Sequence, residues 1–230
     1  MTMTHQMRVL KTICFLAWII IFCCIPNSKV WAQEEIFTAV AWSPDGQTLA
    51  IGGSNGTEGI ILVQGILENS VKRNTIAGEV TRTSWSPDGL RLAVRFNPEG
   101  VGSKIVIWDA ELSKILITTE QFGSSGFYSL LEWSPDGKHI AVDTGASVDI
   151  FDTSTGALTV TLYDNSRFGN AGPVQFEWGL DSQSIYVLYD ISVKEEVVVW
   201  DVGTATVIQA FDIAEQAVNF ALRTRLKTSP

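Results

Sequence analysis

A chain of 230 residues that is 46% hydrophobic and 10% aromatic has enough apolar mass to bury a sizeable core, which excludes an intrinsically disordered protein. Its net charge of −9 repels phosphate backbones and excludes nucleic acid as the expected partner. All three cysteines, Cys14, Cys23 and Cys24, lie in the first apolar run, so a chain trimmed of that run has no disulfide, thiolate metal site or cysteine nucleophile.

Residues 1–32 have the three parts of an export signal: basic Arg8 and Lys11, the apolar stretch Ile13 to Ile25, then Pro26 and a polar segment ending Val30-Trp31-Ala32. Val30 and Ala32 suit the positions three before and one before a cut, which places cleavage between Ala32 and Gln33. The apolar run is shorter than the roughly 18 residues that span a bilayer. Ile20-Ile21-Phe22 before Cys23 are too large for a lipoprotein signal. The expected location is therefore outside the cytoplasm, extracellular or periplasmic. An uncleaved signal anchor is the alternative, and it is the only membrane association expected. The segment holds three basic residues and no acidic one, so its removal takes the net charge from −9 to −12.

From Ile36 onward one unit repeats. Trp42-Ser43-Pro44-Asp45-Gly46 returns as Trp85-Ser86-Pro87-Asp88-Gly89 and Trp133-Ser134-Pro135-Asp136-Gly137, and Trp178-Gly179-Leu180-Asp181-Ser182 is a decayed fourth copy. The spacings are 43, 48 and 45 residues, a period expected of four-stranded propeller blades. Ser, Pro, Asp and Gly in that order suit a type I turn, because Pro pre-sets φ, Asp bonds local backbone and Gly tolerates the backbone conformation at the turn's end. Seven residues after each Trp a short apolar strand opens: Leu49-Ala50-Ile51, Leu92-Ala93-Val94, Ile140-Ala141-Val142 and Ile185-Tyr186-Val187. Continuous apolarity marks a strand covered on both faces. A third strand closes on Ile107-Trp108-Asp109, Ile150-Phe151-Asp152 and Val199-Trp200-Asp201, whereas Leu62-Val63-Gln64 in the first copy has lost the aromatic and the acid. A turn such as Asp152-Thr153-Ser154-Thr155-Gly156 comes next, then a fourth strand such as Leu158 to Leu162 or Thr206 to Phe211. Each unit is a meander of strands A, B, C and D.

The Trp-Ser-Pro-Asp-Gly turn, the Leu-Ala-Ile/Val strand, the Trp-Asp dipeptide and the turn after it together resemble WD40 repeats from Ile36 to about Phe220. The resemblance implies an all-β propeller over 33–222, with blades at about 36–79, 80–126, 127–172 and 173–216 and a partial fifth at 217–222. The Gly-His dipeptide of the family is replaced by Gly78-Glu79, Gly126-Phe127 and Gly172-Pro173, so the buried network through that histidine cannot form. The related TolB-like repeat shares the first turn but not usually the Trp-Asp closure, and stands as the alternative.

Projecting the period past Trp178 reaches Leu222, preceded by a fifth A strand at Ala217-Val218-Asn219-Phe220-Ala221. The sequence then departs into a basic tail, 223–230, with Arg223, Arg225 and Lys227. Two readings stand: truncation inside a longer propeller, or an evolved polar tail. Propellers close with about 4 to 8 blades. An open arc exposes apolar faces, which self-association or missing C-terminal blades would cover.

Chemistry is sparse. His139 occupies a surface-type position, shared with Thr48, Arg91 and Ser184, and reads as solvent-exposed; zinc and a Ser-His triad lack parts. Asp45, Asp88, Asp136 and Asp181 are explained by their turns. Gly52-Gly53-Ser54-Asn55-Gly56 lacks the ending of a phosphate loop, and Asn55-Gly56 is a hairpin turn. Asn55-Gly56-Thr57 is also a glycosylation triplet, relevant in a eukaryote. Glu195 and Glu196 read as a solvated face. No catalytic, cofactor or metal site is expected. The function expected is a non-catalytic scaffold for a protein partner whose identity the sequence leaves open. The alternatives are a propeller attached to a secreted hydrolase or sugar-binding protein, with Arg82, Glu132 and Glu177 converging on the channel, and a fragment without independent function.

Overall fold

The computed structural model describes residues 34–213 apart from 69, 99–101, 124–128, 170 and 191–194. The signal segment with its Ala32–Gln33 junction, Gly126-Phe127, the fifth strand and the basic tail fall outside them.

Four antiparallel sheets succeed one another along the chain, each in simple meander order. Blade 1 comprises β1 (Ile36–Trp42), β2 (Thr48–Ser54), β3 (Glu58–Gly65) and β4 (Ser70–Ala77). In blade 2 the strands are β5 (Glu79–Trp85), β6 (Arg91–Asn97), β7 (Lys104–Asp109) and β8 (Ile115–Thr118). Blade 3 has β9 (Leu131–Trp133), β10 (His139–Asp143), β11 (Val148–Asp152) and β12 (Leu158–Leu162). Helix α1 (Asn165–Phe168) leads into blade 4, with β13 (Pro173–Trp178), β14 (Ser184–Asp190), β15 (Glu195–Asp201) and β16 (Thr206–Ile213).

The constant offset of seven residues becomes a constant register. Trp42 pairs with Leu49, Trp85 with Leu92, Trp133 with Ile140 and Trp178 with Ile185. The middle strands are buried on both faces, whereas the outer strand β4 alternates half-buried and exposed residues, because a pleated strand shows alternate side chains to opposite sides. The sheets pack in chain order, β1, β2 and β3 against β5, β5 against β9, and β9 against β13, and among the described residues they do not close into a ring. The architecture is therefore an all-β open arc of four propeller blades, with the cores between blades. Ile61 and Val63 meet Val80 and Trp85; Ile105 and Ile107 meet Leu131 and Trp133; Val148 and Ile150 meet Phe176 and Trp178.

Register corrects one alignment. Leu49 pairs with Gln64 as Leu92 pairs with Trp108, and Thr48 with Gly65 as Arg91 with Asp109. Gln64 and Gly65 thus replace the aromatic and the acid, one residue later than the sequence pattern placed them. The physical marker is a bulge against the D strand just before Trp108, Phe151 and Trp200; β3 pairs with β4 without one.

Two surface assignments are also corrected. His139 is half-buried, its ring stacked on Trp178 with centroids 6.2 Å apart and its Nδ1 buried without a hydrogen-bond partner. Glu196 is buried and accepts bonds from Arg167 Nε (3.1 Å) and Nη2 (2.6 Å), which ties α1 to β15. The glycine-rich stretch is packing: a Cβ on Gly53 would lie 2.1 Å from the Ile36 carbonyl oxygen.

Candidate functional site

In a four-stranded meander the A–B and C–D turns fall at the same end, and here they are hydrogen-bonded together in every blade. Ile66 N–H donates to Gln47 O, Ala110 to Leu90 O, Thr153 to Lys138 O and Val202 to Gln183 O, at 2.8–3.0 Å. Each first turn is braced by its own serine and aspartate. Ser43 Oγ donates to Asp45 Oδ1 (2.5 Å) and accepts from Thr48 N–H (2.9 Å), while Gly46 N–H closes on Ser43 O (2.9 Å). Ser86 with Asp88 and Ser134 with Asp136 repeat the arrangement, and Gly89 and Gly137 close the turns with φ near +70° as Gly46 does. In the decayed copy Gly179 takes the serine position, and Ser184 instead donates to Asp181 Oδ1 (2.9 Å).

Asp109, Asp152 and Asp201 brace the second turn. Asp109 accepts Ser113 N–H, Asp152 accepts Ser154 and Thr155 N–H, and Asp201 accepts Thr204 N–H. These bonds, led by the Ser154 hydroxyl, hold the Asp152 carboxyl down at about 2. The repeated aspartates are thus acceptors used up by turns. Pro44, Pro87 and Pro135 occupy the second position of those turns. Trp108, Phe151 and Trp200 are buried between blades, and Trp108 Nε1 is buried without a hydrogen-bond partner, in keeping with the absent histidine.

The other tryptophans join neighbouring blades. Trp85 Nε1 donates to Ala41 O (3.2 Å), Trp133 Nε1 to Ser84 O (3.0 Å) and Trp178 Nε1 to Glu132 O (3.3 Å), so each reaches the residue before its counterpart in the preceding blade. Over the outer face of that indole lies the first residue of the preceding B strand. The Arg91 guanidinium sits 4.6 Å from the Trp133 ring and donates to Gly137 O (2.9 Å) and Thr153 Oγ1 (3.3 Å); His139 covers Trp178. Between blades 1 and 2 the same position is Thr48, and here a cavity of about 450 Å³ opens on the turn face. Trp85, Thr48, Gly65, Gly89 and Ala110 line it, with Leu67 and Leu90 at its lip exposed to 83% and 67%.

The inner strands hold a second polar group. Glu132 and Glu177 occupy equivalent positions on β9 and β13, and burial first, then the Glu177 charge, push the Glu132 carboxyl up to about 8. Glu132 Oε2 is buried without a hydrogen-bond partner. Arg82, on the inner strand of blade 2, donates its Nε to Ser129 O (3.2 Å). Behind it, Arg95 is fully buried and paired with Asp143 of the next blade, and burial pulls its guanidinium below the ordinary value against the pull of Asp143. Arg95 and Asp143 both stand ten residues after their blade's first tryptophan; sequence reasoning missed this pair, and that shared repeat position was its signal. The cavity was missed too, although the small Thr48 beside Arg91 and His139 in the same column marks it.

Comparison with known proteins agrees with this architecture. The WD domain, G-beta repeat family matches residues 28–57. Among solved structures, the hydrazine synthase of Kuenenia stuttgartiensis superposes with a TM-score of 0.62 at 20% identity, over 82% of this chain and 52% of that one. TolB from Acinetobacter baumannii gives 0.56 at 18% identity, over 75% and 43%. The C-terminal WD40 domain of Sif2 gives 0.56 at 15% identity, over 77% and 46%. The chain spans about half or less of the length of these structures, and at such identities the likeness is one of fold: WD40- and TolB-type propeller blades.

Proposed function

We propose, for a chain built of WD40- and TolB-type blades, that it is a non-catalytic scaffold that binds a protein partner on its turn face, outside the cytoplasm. The observation that carries this reading is the cavity between blades 1 and 2, whose volume of about 450 Å³ and exposed lip of Leu67 and Leu90 fall on the face where the A–B and C–D turns of each blade are hydrogen-bonded together. Ligand sites are concave and few, and preformed ones cost little ordering on binding. Export rests on the signal-like residues before Gln33. The test is selection of peptides from a displayed random library on the full chain, repeated on Leu67→Asp and Leu90→Asp. Enriched peptides that lose at least tenfold in affinity on those variants support the scaffold. Failure to enrich any peptide, or binding indifferent to both changes, sinks it.

A second reading, attachment to a hydrolase or sugar-binding protein, is favoured by one feature only, the Glu132 carboxyl held near 8 beside Glu177. Turnover of a glycoside by the chain, abolished in Glu132→Gln, would place it first.

A further inference from the structure

We propose that the cavity between blades 1 and 2 receives an arginine side chain presented by a partner polypeptide. The template is inside the molecule. At the junction of blades 2 and 3 the guanidinium of Arg91 lies over Trp133, donating to the turn glycine carbonyl Gly137 O and to Thr153 Oγ1. The repeat maps those groups one blade back: Arg91 onto Thr48, Trp133 onto Trp85, Gly137 onto Gly89 and Thr153 onto Ala110. All four of the mapped residues line the cavity. Thr48 is too short to reach across it. The vacant volume therefore has the indole floor and the turn glycine of a guanidinium site without its guanidinium.

Charge agrees. Among the described residues, Asp45, Glu68, Asp88 and Glu111 line the cavity against a single base, Lys72, which is paired with Glu111. An anionic mouth raises the local concentration of a cationic side chain. Arginine suits an indole face better than lysine, since its planar, weakly hydrated guanidinium stacks and still donates in its plane. Exposed Leu67 and Leu90 at the lip give apolar contact to residues flanking the arginine, which favours a polypeptide over the free amino acid.

The proposal rests on the scaffold reading, yet fails separately from it: peptides that need Leu67 and Leu90 but no arginine would uphold one and refute the other. The full chain is titrated calorimetrically at low salt with acetyl-Leu-Arg-Leu-amide, with the citrulline analogue, which keeps the shape and lacks the charge, and with acetyl-arginine-amide. Expected are saturable binding of the arginine tripeptide, at least tenfold weaker binding of the citrulline one, and at least fivefold weaker binding of acetyl-arginine-amide. Thr48→Arg, which supplies from within the side chain that Arg91 supplies next door, should melt no lower than the parent and lose the tripeptide. Equal affinity for the citrulline peptide, no saturable binding, an unaffected folded Thr48→Arg, or acetyl-arginine-amide binding as tightly as the tripeptide each overturns the assignment; if Thr48→Arg does not fold, the citrulline comparison on the parent chain decides alone.

Discussion

The residue before the first tryptophan of each blade is Ala41, Ser84, Glu132 and Glu177, so one repeat position changes from apolar to acidic along the chain. Two carboxylates on adjacent inner strands then face a cost that neither meets alone, since burial and like charge both favour the neutral acid. Glu132, held up to about 8, keeps its proton at neutral pH. Its folded-state value lies above the unfolded value of about 4.3, so its contribution is intact below about 4.3 and is lost as pH rises toward about 8. Thermal melts across that range should show the parent chain falling relative to Glu132→Gln, and parallel profiles would refute the assignment.

Between elements, the blades are joined by recurring and by singular contacts. The indole-to-carbonyl bonds recur at all three junctions, each worth about 1 kcal/mol. Arg95 and Asp143 form a singular one, an ion pair buried between β6 and β10, where Asp143 also accepts Leu130 N–H at 2.5 Å. Removing one member leaves an uncompensated charge, a larger penalty than losing both. Arg95→Met should destabilise by about 3–5 kcal/mol in urea unfolding, and adding Asp143→Leu should recover part of that loss. A double variant less stable than the single would show that the pair contributes more than it costs to desolvate.

At the scale of the whole molecule the arc is asymmetric at its first blade. Trp42 is 46% exposed where Trp85, Trp133 and Trp178 are 7%, 5% and 5% exposed, and Val40 is 52% exposed where Thr83, Leu131 and Phe176 are buried. These three blades each have a described blade packed ahead of them, and blade 1 has none. An exposed indole and valine in this register are one half of a blade interface. Light scattering on the purified chain is expected to report self-association, and a stable monomer would exclude it.

The blades are legible in the residues alone. Its tryptophans recur at a blade-length period, and the strand opening seven residues later can pair in only one register, because a one-residue slip turns the apolar side chains to the wrong face. The turns were equally legible, since Ser, Pro, Asp and Gly act through bonds to residues within five positions. What lies between blades is set by contacts that no local pattern carries. Whether Thr48, Arg91 and His139 are surface or lid depends on the indole supplied by the next blade, about 40 residues on, and whether Glu196 is solvated depends on Arg167 from a helix outside its sheet. The cavity beside Thr48 belongs to the same class: it exists because two blades meet where one side chain is too short to fill the gap.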